Sequence, residues 1–192
     1  MLPENIPIIL ASKSPRRKKL LSQIGLKFQV KVFETDETYP SNLKPFQIAK
    51  YIAKQKLDEA KKHLQNSIII TADTIVVLHK EILGKPKNEA DAVEMLKKLS
   101  GKKHYVYTGL GIVNQQNGKE IIDFVKTCVK FRELNNEEII EYVASGSPMD
   151  KAGAYGIQDD FGAVFVERIS GCFYNVMGLP LSKLVQKFYE IA

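Results

Sequence analysis

Residues 6–17 read Ile6-Pro7-Ile8-Ile9-Leu10-Ala11-Ser12-Lys13-Ser14-Pro15-Arg16-Arg17. A short apolar run of buried-strand type, 6–11, meets a helix start in which the Ser14 hydroxyl caps and Pro15 takes the first helical position. The spacing predicts a helix over 15–24, ended by Gly25. A strand that passes directly into a helix is the repeating unit of a sheet covered by helices. The same stretch carries an electrostatic oddity. Arg16 and Arg17 fall in the first turn, beside the positive end of the helix dipole, where each cation costs roughly 0.3–1 kcal/mol. Two other predicted helices place acids there instead, Glu89 and Asp91 after Asn88, and Glu137 and Glu138 after Asn136. An anion at the first helix end would offset the cost, since free backbone N–H groups and two guanidinium forks would converge on it. A pair of solvated arginines is the plainer alternative.

Outward from this unit the alternation continues. Residues 28–33 alternate apolar and polar as a half-exposed strand, and 36–41 form a loop. A long helix is expected at about 45–64, with Ile48, Ile52, Lys56 and Ala60 four apart. Ser67–Leu78 is β-branched and apolar, interrupted by Thr71-Ala72-Asp73-Thr74. A short strand or turn follows at 82–86, then a helix at 88–99. Two strands, 104–114 and 120–133, are joined by a hairpin at Asn117-Gly118. A helix at 136–144, a polar loop at 149–160, a strand at 163–169 and a helix from 180 to 190 complete the pattern. A mixed sheet flanked by helices, of class α/β or α+β, is the natural architecture. The 192 residues fit one domain, 1–192, or one domain built from two lobes. Strands and helices cluster differently in the two halves, and a central cleft between two lobes is the expectation that follows.

Composition is that of an ordinary globular chain, 44% hydrophobic and 26% charged. The net charge of +6 suits a polyanionic ligand. The lysines are spread along the chain, however, so nucleic-acid binding is not expected. Cys128 and Cys172 show no metal-ligand spacing and are expected to be free, buried thiols in a reducing compartment. The chain shows neither a targeting segment nor the run of about 18 apolar residues that a membrane span requires. A cytoplasmic protein is expected, without membrane contact.

Several polar residues fall where chemistry could use them. Asp73 interrupts a run that otherwise reads as buried sheet. It is either a turn-forming aspartate or a carboxylate that must be paired, bind metal or face a cleft. Lys85 sits in the rigid turn Gly84-Lys85-Pro86, and Lys56 on a helix among other lysines; neither stands out locally from a solvated side chain. Asp36 and Glu37 form an acidic pair with the oxygen ligands that Mg²⁺ takes, or simply a polar loop. Gly109-Leu110-Gly111 lacks the third glycine of a dinucleotide fingerprint, and Ser100-Gly101-Lys102-Lys103 lacks the spacing of a phosphate loop. His63, His79 and His104 have no zinc spacing and read as surface or packing histidines.

Four blocks nevertheless occur together and in order: Ala11–Arg17 with Leu20-Leu21; Ala72-Asp73-Thr74-Ile75-Val76; Gly84-Lys85-Pro86; and Asp150–Gln158, closed by Gly178-Leu179-Pro180. This combination closely resembles the Maf family of nucleoside triphosphate pyrophosphatases, from about residue 6 to residue 185. The resemblance implies a two-lobed fold related to the inosine-triphosphate pyrophosphatases. It also implies hydrolysis of a nucleoside triphosphate to the monophosphate and pyrophosphate with a divalent cation, Mg²⁺ or Mn²⁺. Carried over by position, Ser12, Arg16 and Arg17 would hold phosphates, with Lys56 and Lys85. Asp73 would be the general base, or would hold, with Glu37, the metal that activates the water. Thr74 and the run ending in Gln158 resemble the branch acting on dTTP and UTP, in which Arg16, Thr74 and Gln158 bear on substrate choice. The alternatives within the resemblance are a preference for another base such as 7-methyl-GTP, or a non-catalytic role in cell division. A homodimer is also implied. The sequence departs from the pattern after Gln158, where Asp159-Asp160-Phe161 precede Gly162 and put the base preference in question.

Overall fold

The computed structural model describes residues 6–158 and 161–191. Strand β1 (Ile8–Ala11) is buried along its whole length. It pairs in parallel with β2 (Gln29–Lys31) on one side and β3 (Ile68–Leu78) on the other, in the register Leu10 opposite Val30 and Ile70. Helix α1 (Pro15–Gln23) starts as its sequence dictates: Ser14 accepts from the Arg17 N–H, and Pro15 opens the first turn. Helix α2 (Pro45–His63) opens with Pro45, the Gln47 side chain accepting from the Lys44 N–H at 2.9 Å. It buries Ile48, Ala49, Ile52, Ala53, Leu57 and Ala60 on one face.

The remaining elements are β4 (Glu81–Leu83), α3 (Glu89–Leu99), β5 (Lys103–Asn114), β6 (Glu120–Phe131), α4 (Asn136–Ala144), β7 (Val166–Ser170), α5 (Phe173–Met177) and α6 (Leu181–Ile191). Among the described residues the strands form a seven-stranded sheet in the order β2-β1-β3-β5-β6-β7, with β4 pairing antiparallel to β3. The fold is therefore α/β with a mixed sheet. The Asn-Gly turn forms as expected, Gly118 at φ +74° donating to the Asn114 carbonyl at 2.9 Å. No helix among the described residues is long and apolar enough to cross a membrane.

Two compact units divide the chain. The first comprises Met1–Asp73, Thr108–Val125 and Gly178–Ala192, and the second Thr74–Tyr107 and Lys126–Met177. In the first, Ile9, Ala11, Leu57, Ala60, Leu64, Ile69 and Val113 build a core between α2 and the sheet. The approach of α2 is set by glycines. A Cβ on Gly109 would lie 2.0 Å from the Ala49 carbonyl oxygen, and one on Gly111 2.6 Å from Thr71 Oγ1. Thr71 Oγ1 in turn donates to the Ala53 carbonyl at 2.8 Å. Gly109 and Gly111 thus form a seat for a helix rather than for a dinucleotide. The second unit packs Leu96, Phe131, Tyr142, Tyr155 and Phe165 in a core of its own.

The structure departs from the sequence reading in several places. No turn interrupts 67–78: β3 runs unbroken through Asp73, so the turn-forming alternative for that residue is wrong. Strand β2 is exposed at all three residues instead of half-buried. Helix α4 is capped by Asn135, one residue earlier than expected, through a reciprocal bond with Glu138. The segment expected as a polar loop contains 3-10 turns at Ser147–Asp150 and Ala152–Ala154, and residues 153–157 are buried. Another 3-10 turn, Phe161–Phe165, delays β7 to Val166, and α5 was not foreseen. Cys128 and Cys172 are free but only half-buried.

Candidate active site

Parallel pairing of β1 and β3 sets the carboxyl end of β1 beside the middle of β3. Beyond the matched pair Leu10 and Ile70, β1 ends and leads to Ser12, while β3 continues through Asp73. The carboxyl ends of parallel strands are where α/β sheets gather ligands. Asp73 is buried, with 8% of its surface exposed. Its Oδ1 lies 2.7 Å from Lys56 Nζ, and the same ammonium lies 2.9 Å from Glu37 Oε1. Lys56 belongs to the helix seated on Gly109 and Gly111, one turn beyond the Ala53 carbonyl that Thr71 ties down. That seat brings Lys56 to Asp73, while the neighbouring lysines of α2 turn elsewhere; Lys54 pairs with Asp58 and Glu120.

The acidic pair of the 36–41 loop separates into two jobs. Asp36 Oδ1 accepts from the Thr38 N–H at 3.1 Å, a local turn bond. Glu37 faces Lys56, helped by Gln55 Nε2, which donates to the Thr38 carbonyl at 3.0 Å and fastens the loop to α2.

The dipole-breaking arginines are accounted for on the same unit. Arg17 is held at the start of its helix: Nε donates to the Gly178 carbonyl at 2.8 Å and Nη1 to Ser12 Oγ at 3.3 Å, the hydroxyl oxygen that also accepts from the Ser14 N–H. Burial pushes its pKa down, Asp73 pulls it back up, Arg16 lowers it and Glu37 raises it. These couplings place Arg16, Arg17, Glu37 and Asp73 in one electrostatic neighbourhood. Ser12, Arg16, Arg17, Glu37, Lys56 and Asp73 are therefore brought together within the first unit. The Gly178 carbonyl is a site component that sequence reasoning did not assign, although it lies in the last of the four blocks.

Thr74, Lys85 and Gln158 belong to the second unit. Thr74 is half-buried on β3, Lys85 is exposed, and Gln158 is half-buried. The Gly153 N–H donates to the Gly84 carbonyl at 2.9 Å, which ties the segment leading to Gln158 to the turn that carries Lys85. Asp159 and Asp160 lie outside the described residues. Among the described residues no three His, Cys, Asp or Glu side chains form a metal cluster. Asp73 and Glu37 nevertheless converge on one cationic point, the Lys56 ammonium. Two carboxylates suit Mg²⁺, which is held by one or two carboxylates together with substrate phosphates and water rather than by a closed protein cage.

Comparison with known proteins decides the lineage. The family described as "Maf-like protein" matches residues 7–191. The chain belongs to the Maf family. A "dTTP/UTP pyrophosphatase" of Aquifex aeolicus is 50% identical to this Maf protein over 184 residues, 96% of this chain and 95% of its own. The "dTTP/UTP pyrophosphatase" of Caldicellulosiruptor saccharolyticus is 46% identical over 181 residues, 92% of this chain and 90% of its own. One from Bacillus cereus is 48% identical over 183 residues, 95% of this chain and 94% of its own. A solved HAM1 protein from Coxiella burnetii covers 95% of this Maf chain and 99% of its own at 12% identity and a TM-score of 0.46, too distant to carry an argument.

Proposed function

We propose that this Maf protein hydrolyses dTTP and UTP to the nucleoside monophosphate and pyrophosphate. The observation that carries the reaction is the Asp73 carboxylate held 2.7 Å from Lys56, in the same unit as two arginines at a helix start. A site that only bound an anion would gain nothing from a buried carboxylate among its cations. A hydrolase needs one, to orient and deprotonate a water. The pyrimidine substrates are those named for relatives 46–50% identical across nine-tenths or more of both chains.

The chemistry follows from the residue types. Water attacks the α phosphorus, the bond to the β-phosphate oxygen breaks, and pyrophosphate leaves with its charge. Asp73 takes the water's proton, with Lys56 pinning the orientation of its carboxylate. Arg16 and Arg17 bring guanidinium charge to the phosphate oxygens, Ser12 contributes its hydroxyl, and the α1 N-terminus adds its dipole. Asp73 and Glu37 would hold a divalent cation, which when bound neutralises charge on the triphosphate. Lys85 adds a further cation for the phosphates. Gln158 selects the base, since an amide donates and accepts at once as a pyrimidine edge requires, and Arg16 and Thr74 contribute to that choice. The two free cysteines support a reducing, cytoplasmic setting.

A panel of dTTP, UTP, CTP, GTP and 7-methyl-GTP with Mg²⁺, followed by chromatography of the products, tests the reading. Preferential formation of dTMP and UMP is expected. Faster turnover of 7-methyl-GTP, or no turnover of any triphosphate, would overturn it.

A further inference from the structure

The segment that ends at Gln158 is held in a conformation that its own residues do not favour. Gly153 and Ala154 are both left-handed, at φ +71° and +61°. For Ala154, fully buried, that region is disfavoured by its Cβ. At Gly153 a Cβ would stand 3.0 Å from Val76 Cγ1, so the backbone lies directly on β3. Such a conformation persists only where surrounding contacts over-determine it. Three tethers do so here. The Gly153 N–H donates to the Gly84 carbonyl at 2.9 Å, and the Gly156 N–H to the Tyr142 hydroxyl at 3.3 Å. The third joins the Tyr155 hydroxyl to His104 Nε2 at 2.8 Å.

His104, on β5, has no exposed surface. Its ring stands edge-on to Phe131 and Tyr155, with centroids 5.0 and 5.4 Å away. Its Nδ1 is buried without a hydrogen-bond partner. A buried polar atom with no partner destabilises a fold, and a phenyl ring would fill the same space without that penalty. What the imidazole adds over a phenyl ring is the bond to Tyr155. Burial also pushes its pKa down to about 4, so the ring is neutral at physiological pH and the bond does not switch there.

We propose that His104 is a positioning residue for nucleobase selection: through the Tyr155 hydroxyl it fixes the backbone of residues 153–158 and thereby the placement of Gln158. The Gly153–Gly84 bond extends the same control to the turn that presents Lys85. The inference rests on the reading of Gln158 as the group that meets the base.

Steady-state kinetics with dTTP and CTP, alongside thermal melting, test it on His104→Phe, His104→Gln, Tyr155→Phe and Gln158→Ala. Loss of one positioning hydrogen bond should raise KM for dTTP by about fivefold to tenfold with little change in kcat, and narrow the preference for dTTP over CTP by a similar factor. His104→Phe should show this while melting at or above the wild-type temperature. His104→Gln, whose amide can still bond the hydroxyl, should restore most of the selectivity. Tyr155→Phe, which removes a single oxygen, breaks the same bond from the other side and decides the matter should His104→Phe not fold. Wild-type KM and selectivity in a folded His104→Phe or Tyr155→Phe would overturn the proposal, as would a fall in kcat that merely tracks lost stability. Should Gln158→Ala keep full selectivity, the reading of Gln158 fails and the proposal with it. Should Gln158→Ala lose selectivity while His104→Phe keeps it, the positioning role alone fails.

Discussion

Asp73 sits in a strand whose neighbours are almost all apolar, and the Lys56 ammonium at 2.7 Å compensates its charge, with the Arg17 guanidinium in the same electrostatic neighbourhood. Replacing it with asparagine keeps the shape and leaves Lys56 its second partner, Glu37, at 2.9 Å. The fold should therefore survive, while kcat falls by roughly 10²–10⁴, the range that a positioned acid–base group contributes. Circular dichroism and initial rates on Asp73→Asn check this, and a fully active, folded variant would remove Asp73 as the base. His104 makes a separate, pH-dependent contribution. Its pKa falls from 6.5 to about 4 on folding, so between those values the unfolded chain binds a proton that the native chain refuses. Stability then rises with pH: this contribution is fully present above about pH 6.5, is lost as pH falls toward 4, and amounts to up to about 3 kcal/mol. Urea titrations at pH 7 and pH 4.5 should show the loss in the wild type and a smaller one in His104→Phe.

At the scale of elements, the decisive contact is that of α2 with β5. Gly109→Ala would drive a methyl to 2.0 Å from the Ala49 carbonyl oxygen, so the helix must move. Overpacking of this kind costs about 1–3 kcal/mol, and the displaced helix carries Lys56 away from Asp73. Activity should fall more than stability alone explains. Elements also differ in how plainly the chain announces them. Strand β1, the Ser14-Pro15 helix start, α2 and the Asn-Gly hairpin are local signals, set by capping, proline geometry and periodicity, and each formed where expected. The continuity of β3 through Asp73 is not local. A charge in an apolar run reads as a break unless its partner is known, and Lys56 lies seventeen residues upstream on a different element. The burial of 153–157 was hidden for the same reason, since this short glycine-containing run is covered by Val76, Tyr142 and His104 from other elements. Short 3-10 turns and α5 carry too few residues to show a period.

For the whole molecule, the candidate residues fall in two compact units. Ser12, Arg16, Arg17, Glu37, Lys56 and Asp73 lie in the first, while Thr74, Lys85 and Gln158 belong to the second. Arg16, Arg17 and Asp73 stand out locally, the arginines against a helix dipole and the aspartate inside an apolar run; Glu37 and Lys56 lie outside the four blocks and each alone passes for a solvated charge. A ligand that binds the native state alone should stabilise it by about 2.7 kcal/mol at one hundred times its dissociation constant. For a chain of this size that is a rise of roughly 5–11 °C in melting temperature with an α,β-methylene analogue of dTTP and Mg²⁺. An unchanged melting temperature at saturating analogue would argue against a triphosphate site. Phosphorus NMR of dTTP turning over with the wild-type protein and Mg²⁺ tests the bond broken and the base at once. The resonances of dTMP and pyrophosphate should grow together in equal amounts, and they should be absent with Asp73→Asn on the same timescale. Growth of dTDP and inorganic phosphate, or undiminished turnover by Asp73→Asn, would contradict the mechanism.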